Sequence, residues 1–425
     1  MRNRRSMPRP VRTVVPPVTV AGVGDGDLGI CLSGGGFRAS LYGLGVLRYL
    51  AEAGVLARTD VICGVSGGAI TTAAVGEAVA KHGPEALAGS FPDAVFERFA
   101  ATVGASDLRT RALKRWARAR LTGDLRTRGQ VVGDTLAEAL YPTLGDLRDL
   151  PERPQLVITG TALPAGRAFR FSRDFLGSFD FGYARPPAGL RTASAVAASA
   201  AAPPAFPALQ LETGGIGLRP ATPPVLSVSD GGVYDNLGVE WFQGWEPGNR
   251  PAAAVHAPFL VVVNASGPLL PESRAYRGLA ELNRIRKIQY AQTQSTRIRW
   301  LVDELMAGRQ QGAYLGITRD PRQFTARDGS PVDPKLYAGA LPSALVAPLA
   351  GLRTDLNRFS ADESGLLGYH GYWSAHARLA AWYPELAVAE PSWREFERMS
   401  DARAAELAAE LTRPKHRIGL GERLR

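Results

Sequence analysis

The sequence is poor in cysteine and in long apolar runs. Its 425 residues include two cysteines, Cys31 and Cys63, each within a predicted core strand. Two isolated cysteines exclude a disulfide framework and a cysteine-rich metal site, so we expect both to be small buried side chains. The stretch nearest to transmembrane length, residues 337–352, is interrupted by Pro342 and Pro348. The sequence therefore predicts no membrane-spanning helix.

The first 27 residues also do not resemble a secretory signal peptide. The first 27 residues carry several arginines and only a short apolar stretch, which proline interrupts. This composition is typical of a disordered basic arm rather than a signal peptide. We therefore expect a cytoplasmic enzyme that can contact a membrane peripherally.

Acidic residues are outnumbered, 40 against 50 Lys and Arg, which gives a net charge of +10. Eight of these cations lie between residues 108 and 128, around Leu108, Ala112 and Trp116 on one face of a predicted helix. The pattern suits docking on an anionic membrane, and equally a solvated helix that packs a narrow apolar face on the core. No zinc ligand set, aromatic RNA-binding signature or helix-turn-helix accompanies the charge. Nucleic-acid binding is therefore not expected.

A GxSxG motif centred on Ser66 follows the apolar run 61–63 and precedes a predicted helix over 69–80. A nucleophilic serine on a sharp strand-to-helix turn needs nearly side-chain-free neighbours, because the two backbones pass closely. Gly64 and Gly68 meet this requirement. The N-terminus of the helix would also favour negative charge at the serine oxygen. The simpler alternative is a glycine-rich connecting turn.

A second glycine cluster joins a predicted buried strand over 28–33 to a predicted helix over 39–53. Adjacent glycines can turn successive N–H groups toward one point at a helix N-terminus, which makes an anion-binding nest. Such a nest is a candidate oxyanion hole. The residues concerned are Gly34, Gly35 and Gly36, with Arg38 adding a positive charge beside them.

The same loop also matches a dinucleotide-binding spacing, through Gly34, Gly36 and Ala39. A nucleotide-binding oxidoreductase needs an acidic residue at the C-terminal end of the next strand, to hold the ribose. Here Asp60 lies at the beginning of that strand and Glu52 on the preceding helix. This alternative is therefore disfavoured.

A third motif places Asp230 after the predicted strand 225–229 and before Gly231 and Gly232. An aspartate at the C-terminal end of a strand lies where open α/β sheets build their sites. It could take the hydroxyl proton of Ser66 and return it to a leaving group, as one half of a Ser-Asp dyad. Its structural alternative is a turn-forming Asp-Gly pair.

Gly-Gly-Gly-x-Arg, GxSxG and Asp-Gly-Gly, in that order and each after a predicted strand, resemble the motifs of the patatin-like phospholipases and related cytosolic phospholipases. The oxyanion motif of that family often ends in glycine, where this sequence has Ala39. Further segments that look similar to the family are residues 157–173, 198–207, 235–236, 353–356 and 371–372.

The resemblance implies a lipid acyl hydrolase without a cofactor or metal. Ser66 would be the nucleophile and Asp230 the general base and acid. The amides of residues 34–36 would form the oxyanion hole, and Arg38 would hold the oxyanion or a lipid phosphate. A lipid ester would be the substrate, with an anionic membrane as a peripheral partner. Acidic residues form no calcium-ligand pattern near these motifs, so calcium is not expected.

A Ser-His-Asp triad is the competing mechanism. Each histidine fits a surface or packing position better than a site position, so we expect single histidine substitutions to leave most of the activity. The five histidines are His82, His256, His370, His376 and His416.

The sequence predicts an α/β fold with a mostly parallel central sheet and helices on both faces, in a three-layer α/β/α arrangement with helical additions. A long helix over 279–306 would cover the sheet, and an alanine-rich helix would span 392–411. The predicted units are a basic arm over 1–27, a catalytic core over 28–267 with a basic insertion at about 105–130, a helical cap over 268–390 and a C-terminal helix and basic tail over 391–425.

Three classes of function remain at this stage: a serine lipid acyl hydrolase, a nucleotide-binding oxidoreductase and a catalytically silent membrane-binding protein. Ser66, Asp230 and Arg38 are all present together with the three loop glycines. A silent relative has no need of this combination, which favours the hydrolase.

Overall fold

The computed structural model describes residues 28–124, 126–202, 206–242, 257–273 and 275–413. The basic arm predicted over 1–27, residues 203–205 of the family-like segment 198–207, and the last residues of the tail lie outside these ranges. So do His256 and His416.

Ten strands form one mixed sheet. The five strands at its centre and one edge run parallel, in the order β10-β9-β1-β2-β3, and β4, β5 and β6 continue the sheet in antiparallel pairing. The strands are Leu28–Leu32 (β1), Val61–Val65 (β2), Gln155–Ala162 (β3), Arg167–Phe171 (β4), Leu176–Ser178 (β5), Gly182–Ala184 (β6), Leu209–Glu212 (β7), Val225–Asp230 (β8), Phe259–Asn264 (β9) and Gln311–Gly316 (β10).

Helices cover both faces of this sheet. They are Gly36–Glu52 (α1), Gly67–His82 (α2), Arg98–Ala105 (α3), Leu108–Leu121 (α4), Arg128–Leu140 (α5), Thr192–Ser199 (α6), Gly232–Asp235 (α7), Leu279–Met306 (α8), Val346–Ala350 (α9), Ala361–Trp382 (α10) and Asp401–Leu411 (α11). The larger apolar core joins α1, α2 and α10 to one face, while a smaller core joins the second half of α8 to the other. The fold is thus the predicted mostly parallel α/β architecture with helices on both faces.

Burial on both faces explains the continuous apolar runs of the parallel strands. Ile30 and Ile62 point into the larger core, and their neighbours Cys31 and Cys63 point into the smaller one. The two cysteines face each other across β1 and β2 as free, buried thiols, and burial raises the pKa of each thiol. They are core side chains, as predicted.

Strand β8 enters the sheet differently from the parallel strands. It pairs antiparallel with residues 160–162 of β3. The preceding part of the same edge of β3, up to Thr159, pairs with β2. Val65, the last residue of β2, lies opposite Thr159, and Asp230, the last residue of β8, lies opposite Gly160. The C-terminal ends of β2 and β8 therefore meet head-on beside β3. This register places the residue after β2 next to Asp230.

The structure differs from the sequence predictions in the C-terminal half. One strand, Gln311–Gly316 (β10), lies within the mostly helical region predicted over 268–390 and extends the central sheet. The alanine-rich helix begins at Asp401 and not at Ser392, since Ser400 is its N-cap and accepts a hydrogen bond from the Arg403 amide. Ser392 instead donates its hydroxyl to Glu52 at 2.6 Å. The helix predicted over 392–400 is therefore wrong.

The basic helix α4 packs its narrow apolar face inward. Leu108 and Ala112 are buried, and Arg111 and Arg115 both pair with Glu138 on α5, at 3.4 and 2.6 Å. This contact favours the second of the two alternatives for this segment, a solvated helix on the core. None of the described helices combines the length and the apolar composition needed to cross a bilayer.

Candidate active site

Ser66 lies on a strained turn between β2 and α2. Its backbone has φ 52° and ψ −113°, and no other non-glycine residue in the described ranges has a positive φ. Such a conformation is costly for a residue with a Cβ and persists only where the surrounding structure imposes it. The geometry is that expected of a nucleophile on a sharp strand-to-helix turn.

The glycines around Ser66 allow backbone to pass directly against backbone. A Cβ on Gly68 would collide with the carbonyl of Leu32 at the end of β1, and a Cβ on Gly64 would collide with Thr72 and the Gly68 carbonyl on α2. The N–H of Gly68 donates to the Ser33 carbonyl at 3.1 Å. The serine turn is thus attached to the loop that follows β1.

Asp230 lies within hydrogen-bond reach of the Ser66 side chain. Its carboxyl is buried, with 7% of the residue exposed, and Oδ1 accepts the N–H of Gly232 at 2.7 Å. Burial raises the pKa of Asp230 to about 6, although the hydrogen bonds from Gly232 and from the Ser66 side chain both act to lower it. A carboxyl with this pKa is ionised at neutral pH and can still accept and return a proton.

Gly231 and Gly232 make room for the turn after Asp230. A Cβ on Gly231 would collide with the Thr159 carbonyl, and a Cβ on Gly232 would lie 2.6 Å from Asn236 Oδ1 and 2.7 Å from the hydroxyl oxygen of Tyr290. The turn is therefore packed between β3 and the residues that face it from α8.

The loop after β1 faces Ser66. An ideal Cβ on Gly34 would lie 3.2 Å from the Ser66 Cβ. Gly35 and Gly36 have φ values of 138° and 56°, which favour glycine. In the described ranges their N–H groups have no protein acceptor. They are therefore the amides of this loop that remain able to bind an oxyanion.

Gly34 and Arg38 depart from the roles predicted for them. The N–H of Gly34 donates to the Asn236 carbonyl at 3.0 Å. The buried Arg38 guanidinium donates four hydrogen bonds to backbone carbonyls, two of them to Ala265 and one each to Ala350 and Leu352, at 2.7 to 3.2 Å. These contacts make Arg38 an anchor of the loop, because four of its five side-chain N–H donors bind backbone carbonyls. Desolvation lowers its pKa to about 10, so it remains a cation beside the site.

Ser199, at the end of α6, links the two halves of the site. Its hydroxyl accepts the N–H of Ser66 at 2.8 Å and donates to the Thr159 carbonyl at 2.6 Å. Its carbonyl accepts the N–H of Gly231 at 3.2 Å. In the sequence, residues 198–207 are only a segment that looks similar to the family, and no role is predicted for Ser199. No sequence pattern shows that this one hydroxyl reaches the backbone of Ser66, 133 positions away.

Asn236 is a second residue whose position sequence reasoning missed. Its carbonyl holds Gly34, and its side-chain Nδ2 donates to Ser266 Oγ at 2.6 Å. Its buried Oδ1 has no hydrogen-bond partner in the described ranges and lies next to Gly34 and Gly232. Asn236 therefore joins the loop after β1 to the turn after Asp230.

The histidines of the described ranges have other contacts. His370 Nε2 bonds to the Ile317 carbonyl at 2.9 Å and His376 Nδ1 to the Tyr49 hydroxyl at 3.1 Å, both from α10. His82 is exposed at the end of α2. Burial lowers the pKa of His376 to about 4, which keeps it neutral. These three positions favour the dyad over a triad.

The dinucleotide alternative finds no support in the same geometry. The Ser66 turn fills the space in front of the glycine loop, since a Cβ on Gly67 would collide with the Gly36 backbone. Asp60 is buried at the start of β2 and accepts the N–H of Leu28 at 3.2 Å, so it does not face the loop. Within the described ranges, no group of three His, Cys, Asp or Glu side chains is placed to hold a metal ion.

Comparison with known proteins assigns the class. The sequence model of the family described as Patatin, the patatin-like phospholipases, matches residues 30–242, which include the loop after β1, Ser66 and Asp230. The chain belongs to the patatin-like phospholipase family, and this membership supports a lipid hydrolase activity. No curated protein matches the sequence.

Solved structures with a similar arrangement include human GIVD cytosolic phospholipase A2, at 12% identity and a TM-score of 0.49 over 91% of this chain and 63% of that chain. Its complex with methyl gamma-linolenyl fluorophosphonate gives 13% identity and a TM-score of 0.47, over 91% of this chain and 60% of that chain. VipD from Legionella pneumophila gives 14% identity and a TM-score of 0.30, over 69% and 61%. The chain thus spans about three fifths of the length of these proteins.

Proposed function

We propose that the protein is a serine-dependent lipid acyl hydrolase that acts through a dyad of Ser66 and Asp230. Asp230 takes the hydroxyl proton of Ser66 while Oγ attacks the ester carbonyl. The tetrahedral intermediate collapses as Asp230 gives this proton to the leaving alcohol, which leaves an acyl group on Ser66. Water then attacks the acyl-enzyme, Asp230 accepts its proton, and Ser66 recovers a proton as the fatty acid leaves.

Two amides complete the proposal. The N–H groups of Gly35 and Gly36 would stabilise the negative charge on the carbonyl oxygen, an effect of about 3 kcal/mol for each donor in comparable sites. Because four of the five Arg38 donors are occupied, its contribution would be to fix the loop and to add a positive field. The proposal places no cofactor or metal in the reaction.

The observation that carries the proposal is the conjunction at Ser66. This one serine has the strained backbone, a buried carboxyl of raised pKa close to its side chain and neighbouring amides without a protein acceptor in the described ranges. A turn that only connects β2 to α2 would need none of the three. All three features suit a lipid hydrolase, whose role would be lipid degradation or remodelling at a membrane surface.

Fluorophosphonate labelling followed by peptide mass spectrometry tests the proposal. We expect one adduct on Ser66, absent from Ser66→Ala and retained in Ser90→Ala, which changes an exposed serine. Incubation with a mixed lipid extract should then release fatty acids and lyso-lipids. Labelling elsewhere, or equal release by Ser66→Ala, would rule out the dyad. A silent membrane-binding protein would give neither adduct nor products.

A further inference from the structure

The two halves of α8 have different environments. The second half is fixed to the body, since Gln294 donates to Asn264 at 2.9 Å and to Ser266 at 2.6 Å, and Leu301 and Leu305 are buried. In the first half, residues 279–293, no residue is buried. At 1.5 Å per residue, these residues make about 20 Å of helix that the described residues cover only in part, and we call residues 279–293 the projecting half of α8.

The projecting half is rich in exposed aliphatic side chains. Leu279 and Leu282 are 85% and 63% exposed, and Ile285 and Ile288 are also exposed. The segment before the helix adds Leu270. Soluble proteins rarely leave such a group of large apolar side chains in water without a binding partner.

The charge around these side chains indicates the partner. Glu272, before the helix, pairs with Arg284 at 3.0 Å. Residues 277–290 contain one further acidic residue, Glu281, and three further cations, which are Arg277, Arg286 and Lys287. Apolar side chains between cations are typical of helices that lie in an anionic lipid interface. A second copy of the chain would bring the same positive charge to the contact, which disfavours self-association.

The projecting half ends at the candidate active site. Tyr290 is 37% exposed, yet its hydroxyl lies beside Gly232, where desolvation and the nearby carboxyl of Asp230 raise the pKa of the phenol. Val233, the next residue in the turn, is also exposed. One side chain thus connects the projecting helix to the turn after Asp230, so a lipid surface bound to the helix would lie next to the site.

We propose that residues 269–273 and 275–290 form the surface on which the protein docks to anionic lipid, with Leu279, Leu282 and Ile285 entering the interface. The inference rests on the proposed lipid hydrolase function, because it names where that substrate is bound. It assigns membrane docking to the first half of α8 and not to α4.

Co-sedimentation with vesicles of equal parts phosphatidylglycerol and phosphatidylcholine tests the docking surface. The full chain carries Ser66→Ala, so that no hydrolysis disturbs the vesicles. Combining Leu279→Ser, Leu282→Ser and Ile285→Ser should lower the partition coefficient at least about tenfold. The matched control, Val302→Ser with Met306→Ser, changes exposed apolar residues on the fixed half of α8 and should bind like the parent. Pure phosphatidylcholine vesicles should bind more weakly.

A fluorescent label gives an independent measurement. Cys31 and Cys63 are buried, and burial raises the pKa of both thiols, so acrylodan should react selectively at Ile285→Cys or at the control Met306→Cys. We expect a blue shift of emission with anionic vesicles at position 285 and none at position 306.

Three results would overturn the inference. The first is unchanged vesicle binding by the triple variant, and the second is equal binding to anionic and neutral vesicles. The third is concentration-dependent self-association that the triple variant abolishes, without any vesicle binding. Failure of the proposed function is a separate result, since it would appear as a wild-type chain that binds vesicles and hydrolyses neither lipids nor soluble esters.

Discussion

Two regions of the molecule differ sharply in how tightly they are packed. One is the sheet edge that carries Ser66 and Asp230, and the other is the projecting half of α8. At the edge, glycines bring backbones into contact and carbonyls occupy nearly every Arg38 donor. On α8, residues 279–293 have no buried member. Proton transfer requires atoms fixed in position, whereas contact with a lipid surface requires apolar side chains that no part of the protein covers. The two regions should therefore respond to different substitutions.

The largest expected effect comes from the dyad. Ser66→Ala and Asp230→Asn should each lower kcat by about 10³ to 10⁴-fold, because the first removes the nucleophile and the second the proton acceptor. Initial rates on a soluble short-chain ester measure this without a lipid surface. Vesicle binding should be retained in both variants. A parallel loss of vesicle binding would show that the two regions are not separable.

Asp230→Asn should also make the protein more stable at neutral pH. The folded pKa of about 6 lies above the ordinary carboxyl value, so the unfolded chain releases this proton more readily. The free energy of unfolding of the wild type therefore falls by up to about 3 kcal/mol as the pH rises from about 4 through 6. The variant has no carboxyl at this position and avoids this loss. Thermal melts at pH 4 and pH 7 measure it. The difference between variant and wild type should be large at pH 7 and small at pH 4.

Ser199→Ala should lower kcat by about 10 to 100-fold with little change in KM. It leaves the buried N–H of Ser66 without an acceptor, at a cost of about 1 to 3 kcal/mol, and loosens the strained turn. Steady-state kinetics on the soluble ester give the two constants. Ser194→Ala, on the same helix, is the control. An unchanged kcat would show that the Ser199 hydroxyl does not position Ser66.

The pH profile should show the ionisation of Asp230. Because the carboxylate form accepts the proton, kcat/KM should fall below about pH 6, by about tenfold per pH unit. Initial rates between pH 4.5 and 8 measure this limb. An activity that stays constant down to pH 4.5 would contradict the raised pKa and weaken the assignment of Asp230 as base.

The smallest effect is expected at the histidines. His82→Ala should leave kcat unchanged, and His370→Gln should lower the melting temperature while most of kcat remains, since His370 Nε2 holds the Ile317 carbonyl. Rates on the soluble ester and thermal melts separate the two effects. Loss of activity without loss of stability in either variant would favour a triad.

The sequence predicted many helices and strands correctly, because each depends on the spacing of apolar residues within a short segment. The helix over 279–306 has the predicted bounds, and β1, β2 and β8 lie within one or two residues of the predicted strands. The helix predicted over 392–400 does not form. This segment contains no alanine, and Ser392 at its start is hydrogen-bonded to Glu52 and Tyr372. Contacts distant in sequence outweighed propensity there.

The sequence offered residues for the candidate site but not the hydrogen-bond partners of those residues. The three motifs identify Ser66, Asp230 and the glycine loop, yet their spacing carries no information on which donors are already occupied. Gly34 is held by Asn236 and Arg38 by three carbonyls from residues 265, 350 and 352. Of the three loop glycines, Gly35 and Gly36 therefore keep N–H groups without a protein acceptor in the described ranges.

The sequence by itself determined the strands and helices that flank the three motifs, the strand-turn-helix setting of Ser66 and the family to which the chain belongs, because these depend on short motifs and on apolar period. Only the tertiary structure decided that β8 meets β2 head-on along β3 and that Ser199 contacts both the Ser66 turn and the turn after Asp230. It also decided that no residue in the first half of α8 is buried. Each of these depends on register and on packing between segments far apart in the chain. No local pattern encodes such relations, because they exist only once the sheet has formed.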